Sequence, residues 1–291
     1  MAQPTSVIHD IGYQRYTGPR LGRGYANRSL YEQSLRTAFG IGRGAKAKIF
    51  PWLVIGIALS VAVIAIAVRS LSGTGEPLIS YRSYAANISF PVMLFLAIVA
   101  PELVSRDLRD RTLPLYFSRP LSRSDYALTK YAALATVVLL LLAVPQLLIY
   151  LGAVFTRTDG FSGAMKELGD MGPGLAGAVI RSLVLAAIAL LVASLTGRRA
   201  FAAAFIVGVF IITAPMVGIL NVIGGQGSAL SYLAFLVNPM TLLLGLEQWI
   251  FGKVPEGVPI GDYGPAYGVG TAVVLAGCVS LLLLRYRKVA A

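Results

Sequence analysis

Residues 101–123 read Pro-Glu-Leu-Val-Ser-Arg-Asp-Leu-Arg-Asp-Arg-Thr-Leu-Pro-Leu-Tyr-Phe-Ser-Arg-Pro-Leu-Ser-Arg. This stretch packs both charge signs into a chain that is 56% hydrophobic and only 13% charged. Charged side chains at this density cannot sit in hydrocarbon. The stretch must therefore separate two membrane spans, and its sidedness orients the whole chain.

On either side of it lie apolar runs at 49–68, 84–100, 131–154, 175–195, 200–223 and 267–284. Each is close to the ~20 residues that a hydrocarbon core of ~30 Å requires. A backbone in lipid must satisfy its own hydrogen bonds, so the runs read as helices. The expected fold is an all-α polytopic membrane protein with six transmembrane helices. A soluble domain of 291 residues would carry more surface charge, and the mean hydropathy is +0.74.

Orientation follows from Lys and Arg. With the 101–123 stretch in the cytoplasm, 19 of the 25 Lys and Arg fall on that side, in the N-terminal tail, this loop, the 198–199 turn and the C-terminal tail. Both termini are then cytoplasmic. Residues 1–48 form a basic tail and 49–291 a transmembrane domain. The net charge of +12 is accounted for by topology and anionic lipid, without nucleic acid. No secretory leader is expected, since the first apolar run begins near Ile49.

A seventh apolar stretch, 228–251, is broken by Asn238-Pro239 and carries Glu247. If it spanned, the basic C-terminal tail would face outward. It reads instead as two re-entrant half-helices in the outer leaflet. Tyr81, Tyr84, Tyr150, Trp249, Tyr263 and Tyr267 would then form an outer aromatic belt.

Two cytoplasmic helices are expected. Ser29 and Glu32 have capping-box spacing, and Tyr31, Leu35, Ala38 and Phe39 share one helical face, ended by Gly40 and Gly42. This predicts an amphipathic helix at the inner interface. Beyond span two, Glu102 with Arg106 and Asp107 with Arg111 are acid-first i, i+4 pairs, with Arg106 and Asp110 in the reverse order. They predict a charged helix limited by Pro114. Leu113, Leu115, Tyr116, Phe117 and Leu121 need lipid or a partner to cover them.

Taken together, Glu102, Arg106, Asp107, Thr112, Leu113, Arg119, Pro120, Ser122, Arg123 and Lys130 occur in an order that resembles the corresponding loop of ABC-2 type transporter permeases. That family usually has Gly before the Thr, where this chain has Arg111. The resemblance implies a permease subunit of a bacterial ABC exporter in the cell membrane, not an enzyme by itself. It implies a second permease copy or paralogue and two copies of an ABC ATPase, which would carry ATP and Mg. The loop would hold the coupling helix, with Glu102, Arg106, Asp107, Arg109, Asp110, Thr112, Leu113, Arg119, Pro120 and Arg123 at the ATPase contact.

Other motifs point to no chemistry. Residues 40–47, Gly-Ile-Gly-Arg-Gly-Ala-Lys-Ala, lack the Gly and Ser/Thr that flank a phosphate-loop Lys. Residues 172–177, Gly-Pro-Gly-Leu-Ala-Gly, match a dinucleotide fingerprint but open a membrane span. Gly264 and Gly268 suit close helix packing. The single Cys278 and single His9 exclude an intrachain disulfide and a membrane-embedded His triad or His metal site.

Arg181 is the one ionisable residue well inside a span. It is expected to snorkel to the outer interface, or alternatively to face an anionic substrate in the translocation path. A lipid-modifying enzyme would show clustered acids or His at one depth, and a secondary transporter would show intramembrane ionic pairs; by sequence Arg181 has no partner.

Overall fold

The computed structural model describes residues 18, 21–72, 79–118, 120–156, 160–225, 227–252 and 257–288. Among these, every regular element is a helix: α1 Arg23–Ala38, α2 Ala45–Ser72, α3 Tyr81–Asn87, α4 Ser89–Leu103, α5 Ser105–Arg109, α6 Leu113–Phe117, α7 Arg123–Thr156, α8 Gly160–Ser194, α9 Arg199–Gly224, α10 Ala229–Leu233 with a 3-10 turn Ala234–Leu236, α11 Pro239–Phe251 and α12 Gly264–Lys288.

Six helices are long and apolar enough to cross a membrane, so the chain is a multi-pass membrane protein by length and composition. α4, α7 and α8 form the centre of the bundle, while α2, α9 and α12 are more peripheral. α10 with its 3-10 turn and α11 are bent against each other by 113°. Asn238 makes the bend: its Oδ1 accepts from Met240 N at 2.8 Å and caps α11, and Pro239 needs no donor at the first helical position. The Asn238 amide donates to Phe210 O at 3.0 Å and to Thr213 Oγ1 at 2.9 Å, fastening the corner to α9.

Several boundaries differ from the hydropathy reading. Span two is preceded by a separate helix, α3, because Asn87 donates to Ser83 O and Ser89 to Ala86 O at the junction. Such local side-chain bonds compete with the helical ladder. α8 starts fifteen residues before the expected span at 175, carrying Glu167 inside the fold and placing Pro173 within the helix. Gly264 and Gly268 do permit close packing: a Cβ there would lie 2.1 and 2.9 Å from the Trp249 ring of α11.

Three of the six aromatics expected at the outer interface lie inside the bundle instead. Tyr81, Tyr84 and Tyr267 are buried and bonded within the chain, to Glu167, Ala58 O and Tyr232 O. Trp249 and Tyr263 remain exposed.

The capping box at Ser29 is not made. α1 begins at Arg23, so Ser29 and Glu32 lie inside it, and Glu32 pairs with Arg28 at 2.8 Å. α1 buries Leu30, Ser34 and Ala38, one residue off the expected Tyr31 face, and packs against α7 and α4. Arg23 grips Asp125 through two bonds of 2.7 Å, and the Tyr31 hydroxyl donates to Thr136 at 2.8 Å. α1 is thus docked on the bundle, not bounded by lipid and water alone.

Candidate functional site

The 101–123 stretch folds as two short helices, not one. α4 ends at Leu103, and α5 restarts at Ser105, whose buried hydroxyl donates to Ala193 O of α8 at 2.7 Å. α5 closes in a Schellman turn: Thr112 N donates back to Asp107 O at 3.1 Å across Arg111, which stands at φ 51°. A Cβ makes that left-handed conformation costly, and glycine adopts it freely. Pro114 then sits in the first turn of α6 and starts a helix, where the sequence reading had it end one.

The expected acid-first pairs are not made. Glu102 accepts from Arg199 at the start of α9 and forms an ion pair with Arg43 before α2, the latter at 2.8 Å. Asp107 accepts from the Tyr126 hydroxyl at 2.6 Å and pairs with buried Lys130 at 3.1 Å, both on α7. For Asp107 the longer-range partners outcompete Arg111 because Tyr126 and Lys130 are buried, and a charge there needs a close counterion. The reverse-order pair, Arg106 with Asp110 at 3.5 Å, does form. Arg109 also donates to Asp110 at 3.0 Å, and this bond chiefly holds the exposed carboxyl below the ordinary aspartate range.

Ser122 and Asp125 form a reciprocal cap at the start of α7: Ser122 N donates to Asp125 Oδ2 at 3.0 Å and Asp125 N to Ser122 Oγ at 3.1 Å. Ser-x-x-Asp is visible in the sequence at this point. Arg123 donates to Arg287 O at the end of α12, at 2.8 Å. Pro120 is exposed, and Arg119 lies outside the described residues.

Most of the apolar residues of this loop are covered by the chain itself. Leu113 and Leu121 are buried, and Tyr116 and Phe117 pack on Tyr126, which packs in turn on Tyr286 of α12. Only Leu115, 70% exposed, is left uncovered. A cleft of about 200 Å³ separates Tyr25, Ser29 and Gln33 of α1 from Tyr116, Pro120 and Leu121. The inner side of α5 and α6 is therefore tied to α7 and α8, and through Tyr126 to α12, while the outer side presents Arg109, Arg111 and Leu115.

The second site lies along α8. Arg181 is 2% exposed and neither snorkels nor lacks a partner: Nε and Nη2 donate to Glu247 of α11 at 2.5 and 2.8 Å. About four turns toward the start of α8, Glu167 accepts from Arg69 of α2 at 2.7 and 3.1 Å and from the Tyr81 hydroxyl at 2.9 Å. Between them, Gln146 of α7 is wholly buried, and neither amide atom has a hydrogen-bond partner among the described residues.

Two glycines of the 172–177 stretch make room for this line. A Cβ on Gly174 would lie 2.6 Å from Gln146 Oε1 and 2.9 Å from Tyr81 O, and one on Gly177 would lie 2.9 Å from Glu247 Oε1. Glu167, Gly174, Gly177 and Arg181 share one face of α8, so the polar line runs about 21 Å through an apolar bundle. Among the described residues, no three His, Cys, Asp or Glu are grouped to hold a metal ion.

No curated protein matches the chain. A family model does match, over residues 62–289, which takes in the last part of α2 and every later helix and leaves α1 and the first 17 residues of α2 outside. The chain therefore belongs to the DUF2705 family, described as a protein of unknown function.

Proposed function

We propose that this chain is the transmembrane permease subunit of an ATP-driven exporter of a bacterial cell membrane, coupled to a separate ATPase. The observation that carries this reading is the two-sided build of α5 and α6. Their outer side leaves Leu115 and two arginines uncovered, and their inner side is joined to α7 by a buried ion pair and aromatic contacts and to α8 by a buried hydrogen bond, with Tyr126 of α7 passing the contact on to Tyr286 of α12. A displacement imposed on the outer side reaches the bundle as a rigid-body shift, since packed cores switch between discrete arrangements. In this reading the basic end is cytoplasmic, α10 and α11 dip into the outer leaflet, and two permease copies meet two ATPases that bind ATP and Mg.

The test is co-purification from native membranes. A nucleotide-binding subunit should accompany the chain, and Leu115→Asp with Arg109→Glu should release it while the yield of folded chain holds. A chain that purifies alone and transports on an ion gradient sinks the proposal.

That outcome would favour a secondary transporter. The specific support for this second reading is the two buried ion pairs and the bend at Asn238, features that such transporters place at their binding sites.

A further inference from the structure

An apolar groove of about 230 Å³ opens between α2 and α7. Phe39, Trp52, Ile55 and Leu59 line one side and Val144 and Pro145 the other. Trp52 Nε1, the one polar side-chain group in the lining, is already used: it donates to Phe39 O at 3.2 Å, which fixes the half-exposed indole at the mouth. One turn away on the same helical rows stand Arg36, three residues before Phe39, and Lys48, four before Trp52. Both are exposed, and neither pairs with a described carboxylate.

An apolar slot with two exposed cations one helical turn from its lining, unpaired among the described residues, is complementary to an anionic amphiphile. A second copy of this chain would be a poor occupant. The described carboxylates of this end, Glu32, Glu102, Asp107, Asp110 and Asp125, are each already paired with a cation of their own chain, leaving no free acid for Arg36 and Lys48. We propose that the groove binds an acyl chain of an anionic phospholipid whose headgroup rests on Arg36 and Lys48.

Trp52 is a built-in probe, since the chain has only two tryptophans. Trp249→Phe leaves Trp52 as the sole indole in full-length chain reconstituted into phosphatidylcholine vesicles, doped with either brominated phosphatidylglycerol or brominated phosphatidylcholine. The expected result is half-quenching by the phosphatidylglycerol at a mole fraction at least about fivefold lower, the factor of a single basic residue near the surface. Arg36→Gln with Lys48→Gln should erase the difference, and Val144→Phe, which fills the slot from the α7 side, should reduce quenching by both lipids. Equal quenching by the two lipids, no quenching by either, or a preference that survives the double substitution overturns the proposal. Should Trp249→Phe fail to fold, the wild-type chain answers the same question. The double substitution must lower its phosphatidylglycerol-dependent quenching, and an unchanged value overturns the site.

Discussion

Arg181 of α8 and Glu247 of α11 are joined by two parallel N–H···O bonds of 2.5 and 2.8 Å inside a bundle that exposes neither side chain. The pair ties the bent α10 and α11 unit to the central helix. It replaces desolvation with mutual neutralisation, and holds only while both partners are present.

Removing one partner leaves an uncompensated buried charge. Glu247→Gln or Arg181→Leu should cost about 3–5 kcal/mol, whereas Arg181→Met with Glu247→Met should recover most of it. Unfolding in mixed micelles, followed by Trp249 fluorescence, gives the order. Two single variants as stable as wild type would contradict the pairing.

The glycines of α8 divide by what surrounds them. Gly174→Ala and Gly177→Ala push a Cβ into Gln146, Tyr81 or Glu247 and should lose about 1–3 kcal/mol. Gly174→Ala should lose more, because one of its obstacles is backbone. Gly172→Ala meets nothing within 4 Å and should gain roughly 0.5–1 kcal/mol through lower unfolded-state entropy. The three melting temperatures check the ranking.

Arg111→Gly should stabilise the Schellman turn by about 1 kcal/mol, since glycine is free of the left-handed penalty that Arg111 bears at φ 51°. Slower amide exchange at Thr112, whose N–H closes the turn, is the readout. Arg111→Ala, which keeps the Cβ, should not share the gain.

Asn238→Ala removes a helix cap and two amide bonds to α9, for an expected loss of about 2–3 kcal/mol. Asn238→Asp keeps the cap oxygen and loses the donors, so it should fall between wild type and Asn238→Ala in thermal stability.

The Asp110 carboxyl is held below its ordinary range, first by the Arg109 hydrogen bond. Its folded value is depressed, so the contribution is complete above the ordinary aspartate value of about 3.9 and is lost as pH falls through the folded value. Amide protection factors across α5, with the intrinsic pH dependence of exchange divided out, should be flat above that value and fall below it. Asp110→Asn should be less protected at neutral pH and lack the acid step.

Much of the fold was legible because a span needs little more than a long apolar run. Five of the six expected spans each fall on one long helix, the second straddles α3 and α4, and Asn238-Pro239 marks the bend between α10 and α11. The helix that begins α7 was also legible, through Ser122 and Asp125, but the same spacing at Ser29 and Glu32 drew the reading instead. A capping box needs a chain that changes direction there, and at Ser29 the helix was already two turns old. The start of α8 was hidden by Lys166, Glu167 and Asp170, which look like a loop to hydropathy until Arg69 and Tyr81 are seen to satisfy Glu167.

The sequence by itself determined the helical class, the number of apolar runs and the charge asymmetry between the two ends. These follow from the cost of putting each residue in hydrocarbon, which adds up locally along the chain. Only the tertiary structure decided which acid meets which base: Arg181 finds Glu247 across 66 residues and Arg69 finds Glu167 across 98. Such pairing depends on separations of a few ångströms between helices distant in sequence, and on which glycines let those helices approach. Neither is encoded in any local window.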